Sequence, residues 1–576
     1  MDKQEAARIL EEIALLLELS GENPFKVRAY QTGARALLTF PGNLEEGVAT
    51  GALLRAKGIG RTLAGVVQEL VEQGRSQLHE ELKAKIPPGL VELLQVPGLG
   101  PRKARQLHQE LGITSLGELE YAIRENRLLA LPGFGPRTQE KLKAGLERVR
   151  RYAGYFRLGD LWPAAQELLR QGRQAPGVAR LELAGGVRRA LEVERGLVFV
   201  AAADSPQEAV AALQRLPTWA ALIEAEPGGY RLSLPQGMEA TLYPVAPEIF
   251  GAAWLAHTGS EAHWRELTGR AQALGLRLTD RGLFSGDTLL PSREEEEIYQ
   301  ALGLEFIPPE LREGEGEIAA AAAGALPRLL TLADLKGCFH VHSHFSDGVN
   351  SLPELAAAAR ERGWEYLGLS DHSQSAYYAG GLKPPDLARQ QEEVAACRRA
   401  FPEVTLFWGI ESDILGDGSL DYPPEILQEF DFVIASVHSQ FGLKREDMTR
   451  RLLRALENPA TTMLGHVTGR LLLAREGYEV DLEAVLTAAA VHGVILELNA
   501  SPYRLDLDWR WHRRARELGV LISINPDAHS LEGLAEVEYG VMIARKGWVT
   551  PAEVLNTRTA AEVAEIFRQR RLKGGA

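Results

Sequence analysis

Between residues 338 and 527, apolar runs of strand character alternate with helical stretches, and all but one of the runs end in or beside a histidine or a carboxylate. The runs span 338–345, 366–371, 406–413, 432–438, 462–466, 494–499 and 521–527. Strands alternating with helices imply a parallel sheet. In a parallel barrel the carboxyl ends of all strands open onto one rim, where active sites sit. An open sheet would instead gather its site at one switch point. The pattern therefore predicts a closed α/β barrel over 336–576. Its rim carries His340, His342, Asp347, His372, Glu411, His438, His466, Asp527 and His529.

His340 and His342 stand two apart on a strand, so they share a side. Asp347 follows in a Ser-Asp-Gly turn, and Asp527 and His529 repeat the two-residue spacing on the last strand. A lone histidine beside an apolar strand is usually structural. Here, of 13 histidines, nine lie beyond residue 339 and six of those fall at strand ends. Imidazole with carboxylate suits Mn, Zn or Fe. Nine donors are enough for two or three ions. His344, His492 and His512 are read as structural. Clustered ions activate water and clamp phosphoryl oxygens, which makes the rim hydrolytic. Asp371 is expected to orient the His372 ring. Arg470 and Arg504 are expected to contact a substrate phosphate.

Composition adds bounds. At 576 residues the chain should form several domains. No apolar run nears 18 residues, so no membrane span is expected. The N-terminus alternates charge and apolar residues like an amphipathic helix, without a signal-peptide layout. With two cysteines, Cys338 and Cys397, a reducing cytoplasm is the expected setting. The net charge of −14 is uneven, because residues 1–150 hold 21 basic against 19 acidic side chains. A near-neutral domain with clustered bases can still bind phosphate on one face.

Within that region KGIGRTLA (57–64), VPGLGPRKA (96–104) and LPGFGPRTQ (131–139) repeat a Gly-apolar-Gly turn between amphipathic helices. Glycine permits the tight turn, and the following helix starts with exposed N–H groups beside Arg or Lys. Such a site takes a backbone phosphate without reading bases. Gly58, Gly60, Arg61, Gly98, Gly100, Arg102, Lys103, Gly133, Gly135 and Arg137 are the expected DNA contacts. From about 150 to 310, RLELAGG (180–186) and LVFVAAA (197–203) mix with helices in an α+β region. The run IAAAAAGALP (318–327) reads as a linker into the barrel.

Together with NPFKVRAY (23–30), GGVRR (185–189), HTGS (257–260), REEEEIYQALGLEFIPPELREG (293–314), FHVHSHFSDG (339–348), GHVTGRLL (465–472) and PDAH (526–529), these features resemble one family. It is the bacterial and archaeal family X DNA polymerases with a C-terminal polymerase-and-histidinol-phosphatase (PHP) domain. The resemblance implies a helical lyase-like domain with the first hairpin (1–85), helix–hairpin–helix fingers (86–150), a nucleotidyltransferase-like palm (151–245), a thumb (246–315), a linker (316–335) and a (βα)7 metal barrel (336–576). It further implies a Mn-dependent 3′–5′ exonuclease, with abasic-site endonuclease as a second activity. The implied partner is gapped, primer–template or single-stranded DNA, bound by a monomer without regard to sequence.

The palm departs from the family pattern. Gly186 stands where the family has serine, and Gly196, Val198 and Thr241 stand where it has three aspartates. Nucleotidyl transfer needs those carboxylates to hold two Mg²⁺ ions. Glu194 and Glu239 lie two residues upstream, a displacement of roughly 6.5 Å along a strand. That is too far for bonds of ~2 Å. Polymerase activity is expected to be lost or very weak, leaving Arg188, Arg189, Thr258, Gly259 and Ser260 as a residual nucleotide-binding set. Val66 occupies the position of the lyase lysine and cannot form an imine. Two other readings stay open: an active repair polymerase with nuclease proofreading, and a phosphomonoesterase of small molecules.

Overall fold

The computed structural model describes the 576 residues except 57, 125–126, 226–227 and 574–576, and it divides into two compact units, 1–153 and 154–576. Residue 57, the first of KGIGRTLA, thus lies outside the described residues. Among those described, no helix is long and apolar enough to cross a membrane.

The first unit is all helical. In helix Lys3–Ser20 the buried Ala6, Leu10, Ile13 and Leu17 recur at three- and four-residue intervals, and Asp2 caps its first turn. The three glycine turns share one geometry: Gly58, Gly98 and Gly133 have φ of 96°, 89° and 85°, values that exclude an ordinary side chain. Gly60 and Gly100 are N-caps without a side-chain cap, and a Cβ on either would meet nothing within 4 Å. The helix starts are therefore open to a ligand. Arg61, Arg102 and Arg137 are exposed beside them, while Lys103 lies 5.6 Å over the Phe134 ring. Val66 is buried in the core with Leu63, Val67 and Leu70.

In the second unit a five-stranded sheet runs in the order Arg180–Ala184, Gly196–Ala202, Glu239–Val245, Gly229–Ser233 and Leu222–Ala225. Helix Glu261–Ala273, a three-stranded antiparallel sheet and helix Glu295–Ala301 follow. The stretch expected to be a linker differs from the sequence reading. Glu317–Ala322 is a helix whose Ile318 and Ala321 are buried with Leu267, Tyr299 and Leu302, while Glu317 accepts a hydrogen bond from His263 at 2.7 Å. Alanine favours a helix wherever one face can be buried.

The barrel has seven parallel strands in sequence order: β1 (Gly337–Val341), β2 (Tyr366–Leu369), β3 (Thr405–Asp413), β4 (Phe432–Ser436), β5 (Met463–Leu464), β6 (Ile495–Asn499) and β7 (Ile522–Asn525). All seven expected strands are present. The ring closes where His342 N donates to Ala528 O at 2.8 Å and Ala528 N donates to His340 O at 3.1 Å. Phe339, Tyr366, Phe407 and Phe432 fill the interior away from the rim, and Phe567 of helix Ala560–Lys573 packs against them. An aromatic-filled lower barrel leaves the carboxyl ends of the strands as the face available for chemistry.

Candidate metal centre

Strand β1 is irregular where the site begins. Its pairing register shifts between Cys338 and Val341, and His340 has φ of 58°. Cys338 and Val341 pack outward while Phe339 joins the interior cluster. The bulge turns His340 inward as well, so that its ring lies 5.3 Å from that of His342. Regular alternation would have separated Phe339 from His340. His466 and Asp527 also have positive φ, 22° and 54°. Left-handed backbone at non-glycine residues costs energy and persists where the surrounding structure enforces it.

Glu411, on β3, is the centre of the donor array. Its Oε1 lies 3.0 Å from His466 Nε2, 3.1 Å from His438 Nε2 and 3.2 Å from His340 Nε2, and its Oε2 lies 2.8 Å from His372 Nδ1. Asp527 Oδ1 is 3.2 Å from His342 Nε2 and 3.4 Å from His340 Nε2. Asp347 lies 3.3 Å from His529 Nε2 and 3.6 Å from His372 Nε2. Donors bound at about 2.0–2.2 Å to one ion sit roughly 3–3.5 Å apart, which these separations match. Among the described residues, all groups of three or more close donors lie here: His342, Asp347, His372 and His529; His340, His342 and Asp527; His372, Glu411 and His438.

Buried polar atoms support the same use. His340 Nε2, both ring nitrogens of His342 and Glu411 Oε2 are buried and have no hydrogen-bond partner. Such orphans are costly in a folded protein unless a ligand completes them. Behind them a second layer aims the rings. His340 Nδ1 donates to Glu497 Oε1 and His438 Nδ1 to Asp413 Oδ1, both at 2.5 Å, while Asn525 Nδ2 donates to Glu497 at 2.9 Å. Glu497, Asp413 and Asn525 are absent from the sequence-based set. Glu497 had a signal: it is the one ionisable residue in the apolar run ILELN.

Charge explains the titration pattern. Burial works against charging every ring, yet Glu411 and neighbouring carboxylates push His372 up to about 10 and His438 to about 9. His529 is likewise pushed up to about 9, against burial, chiefly by its hydrogen bond to Asp347. His342 goes the other way, to about 4, through burial and the nearby His372 charge. Burial favours protonating Glu411, but the charges of His438, His340 and His372 outweigh it and hold the carboxylate well below its usual range. Without ions, then, protonated imidazoles neutralise the carboxylates.

Three residues expected at the chemistry separate here. Arg504 is at the rim, its Nε 3.6 Å from Asp527 Oδ2 and its Nη1 buried without a partner. Arg470 is not: its guanidinium is taken up by Arg504 O, Leu505 O, Asp508 and Glu192. Asp371 does not hold the His372 ring. Its carboxylate accepts from Ser343 N at 2.8 Å, Ser343 Oγ at 2.6 Å and Gln390 Nε2 at 2.5 Å, clamping the loop that carries Asp347. Neighbours in a strand point to opposite faces, so adjacency to His372 was no guide.

The palm set also differs from expectation. Arg188 forms a bidentate pair with buried Glu295 at 2.7 and 2.8 Å, donates to Thr258 Oγ1 at 2.7 Å and stacks 3.5 Å from the Trp254 ring centroid. Arg189 binds Glu313 at 2.9 Å and the carbonyl of Thr258. Ser260 caps helix Glu261–Ala273, and Gly259 leads into that cap. Both guanidinium groups are thus paired with Glu295, Glu313 and Thr258. Val198 faces Thr241 across the parallel strand pair, and a Cβ on Gly196 would stand 2.3 Å from Glu239 O. Glu194 occupies the space beside Gly186, where a Cβ would meet its Oε2 at 1.9 Å.

Comparison with known proteins agrees with these parts. Family models match a helix-hairpin-helix domain at 1–76, a SAM-like helix-hairpin-helix tandem at 90–148, a DNA polymerase beta thumb at 253–313 and a PHP domain at 339–501. The chain is 35% identical over 578 residues to the DNA polymerase/3′-5′ exonuclease PolX of Bacillus subtilis, covering 99% of this chain and 100% of that one. It is also 26% identical over 264 residues to a probable phosphatase of Thermoanaerobacter sp. strain X514, covering 42% of this chain and 98% of the relative. The chain belongs to the family X DNA polymerases that carry a C-terminal PHP domain.

Proposed function

We propose that this protein is a DNA-binding phosphodiesterase, a 3′–5′ exonuclease with abasic-site endonuclease as a second activity, whose polymerase activity is lost or very weak. One observation carries the reading. Nine rim donors converge in the barrel at separations that suit shared ions, while Gly196, Val198 and Thr241 stand where the family pattern has its aspartates. The exonuclease part of the Bacillus subtilis relative's name accords with it.

His340, His342, Glu411 and Asp527 would hold one ion, Glu411, His438 and His466 a second, and Asp347, His372 and His529 a third. Mn²⁺ is the proposed metal. Bound divalent ions supply an activated water and charge neutralisation of the phosphoryl oxygens. Glu497 and Asp413 hold His340 and His438 in the tautomer that presents Nε2. Arg504 offers its free Nη1 to a non-bridging phosphate oxygen. The glycine turns at 58–60, 98–100 and 133–135 hold the DNA backbone by phosphate contacts, without base readout. The protein acts as a cytoplasmic monomer.

Incubating the protein with a 5′-labelled primer–template, Mn²⁺ and dNTPs tests this. A ladder of shortened primers is expected. Extension would instead establish a working polymerase, and inert DNA with phosphate release from small esters would make the barrel a phosphomonoesterase, as some relatives' names suggest.

Stripping the ions should expose the titration of the rim. Imidazoles raised to about 9 and 10 stabilise the fold fully below their unfolded value near 6.5. That stabilisation is lost as pH climbs through the folded values. The melting temperature of chelator-treated protein is therefore expected to fall between pH 6.5 and 9.5, and added Mn²⁺ should prevent the fall. At pH 7.5, Mn²⁺ loading is expected to release roughly four protons, one each from His340, His372, His438 and His529, measured by calorimetry in buffers of different ionisation enthalpy.

A further inference from the structure

The loop after β6 is gripped by the palm. Arg470, which follows β5, donates Nε to Arg504 O at 2.9 Å and Nη2 to Leu505 O, while Nη1 reaches Asp508 at 2.9 Å. The same Nη2 meets Glu192 Oε1 of the palm at 3.3 Å. Glu192 is nearly buried, so this pair is shielded from water. Two more palm residues bear on the loop. The Arg157 guanidinium lies 3.9 Å from the Tyr503 ring centroid. Helix Leu158–Gly172 begins flush against Pro502, and a Cβ on Gly159 would stand 2.3 Å from Pro502 Cβ. Leu505 has φ of 45°, a conformation that its surroundings must impose.

What this loop carries is Arg504, with Nε 3.6 Å from the rim carboxylate Asp527 and Nη1 buried without a partner. We infer that the palm is the positioning frame of the hydrolytic site. Through Glu192, Arg157 and Gly159 it sets the loop 501–505, so that Arg504 presents its unpaired nitrogen to a substrate phosphate beside Asp527. The inference rests on the reading of the barrel as a phosphodiesterase. Glu192, Arg157 and Gly159 are positioning residues, since they act through the loop. A palm without metal-binding carboxylates thereby keeps a role in hydrolysis.

The test uses the full chain loaded with Mn²⁺ and a 5′-labelled single-stranded oligonucleotide. Arg504→Ala is expected to lower kcat/KM about 100-fold, the order of loss for a misplaced or missing phosphate contact. Glu192→Ala is expected to cost about tenfold, and Gly159→Ala, which leaves Arg470 fully paired, a similar factor. Glu192→Gln should stay within about twofold, because its amide oxygen still accepts from Arg470. In the Arg504→Ala background, Glu192→Ala should cost nothing more, since coupled residues are non-additive. Bound manganese, measured by elemental analysis, should be unchanged throughout. Wild-type rates in both Glu192→Ala and Gly159→Ala would overturn the frame, as would a Glu192→Ala loss that multiplies fully with Arg504→Ala or comes with loss of metal. Absence of hydrolysis in the wild type would sink the underlying phosphodiesterase reading, whereas hydrolysis indifferent to the palm variants sinks the frame alone.

Discussion

Glu411→Ala is expected to lower hydrolysis of a 5′-labelled oligonucleotide on the order of 10⁴-fold, while binding of the same DNA changes by less than about twofold. Each tenfold in rate corresponds to about 1.4 kcal/mol of transition-state stabilisation. Glu411 is the residue whose two oxygens approach five rings: His340, His438 and His466 on one, His372 and His342 on the other. Its loss removes the carboxylate common to two ion positions and leaves those rings without their counter-charge. The glycine turns expected to hold DNA lie in residues 58–135 and contain none of these groups. Gel-shift titration with rate measurement separates the two effects. A rate loss below about tenfold would show that the array around Glu411 is not where catalysis occurs.

Glu295→Ala is expected to destabilise the protein by about 3–5 kcal/mol, the loss seen when one partner of a buried ion pair is removed. Glu295 is fully buried and accepts bidentate bonds from Arg312, at 2.8 Å for both, and from Arg188, at 2.7 and 2.8 Å. The substitution would strand two buried guanidinium groups. Burial raises the Glu295 pKa, but Arg312 and Arg188 outweigh it and bring it down to about 2. A depressed carboxylate contributes stability above its unfolded value near 4.3, and that contribution is lost as pH falls toward 2. The variant should therefore lose its acid-unfolding step in this range. The control is Glu294→Ala, one residue earlier, whose pair with Arg180 is half-exposed and worth less than about 1 kcal/mol. Chemical denaturation of both variants at pH 7 and pH 3 measures the contrast. Equal losses at the two positions would remove the buried network from the account of stability.

Much of the barrel was legible because all but one of the strands announce themselves twice, by an apolar run and by the donor that ends it. The rim residues from His340 to His529 needed no long-range information to be recognised as donors. The layer behind them did. Asp413 stands two residues from Glu411 on the same strand and holds His438, yet the spacing alone does not separate a ligand from a residue that orients one. Glu497 is paired with His340 across a gap of 157 residues. Arg470 reads in the sequence as a phosphate contact, yet its partner Glu192 lies 278 residues earlier. The alanine-rich stretch after 317 reads as a linker on composition, because its burial depends on a face of the thumb that composition does not describe.

The chain by itself determined the inventory. Nine donors for hard and borderline cations, three glycine turns, and Gly196, Val198 and Thr241 where the resemblance expects carboxylates are covalent facts, and folding cannot supply a carboxylate at Val198 or Thr241. The tertiary structure alone decided which donors can share an ion, that a bulge at His340 turns two successive residues inward, and that Arg188 and Arg189 spend their charge on the thumb. It also decided that Arg157 and the start of helix Leu158–Gly172 meet the loop that carries Arg504. The reason is one of range. Donor type is a property of a single residue, whereas ligation, ion pairing and positioning depend on ångström distances between residues that the sequence holds a hundred or more positions apart.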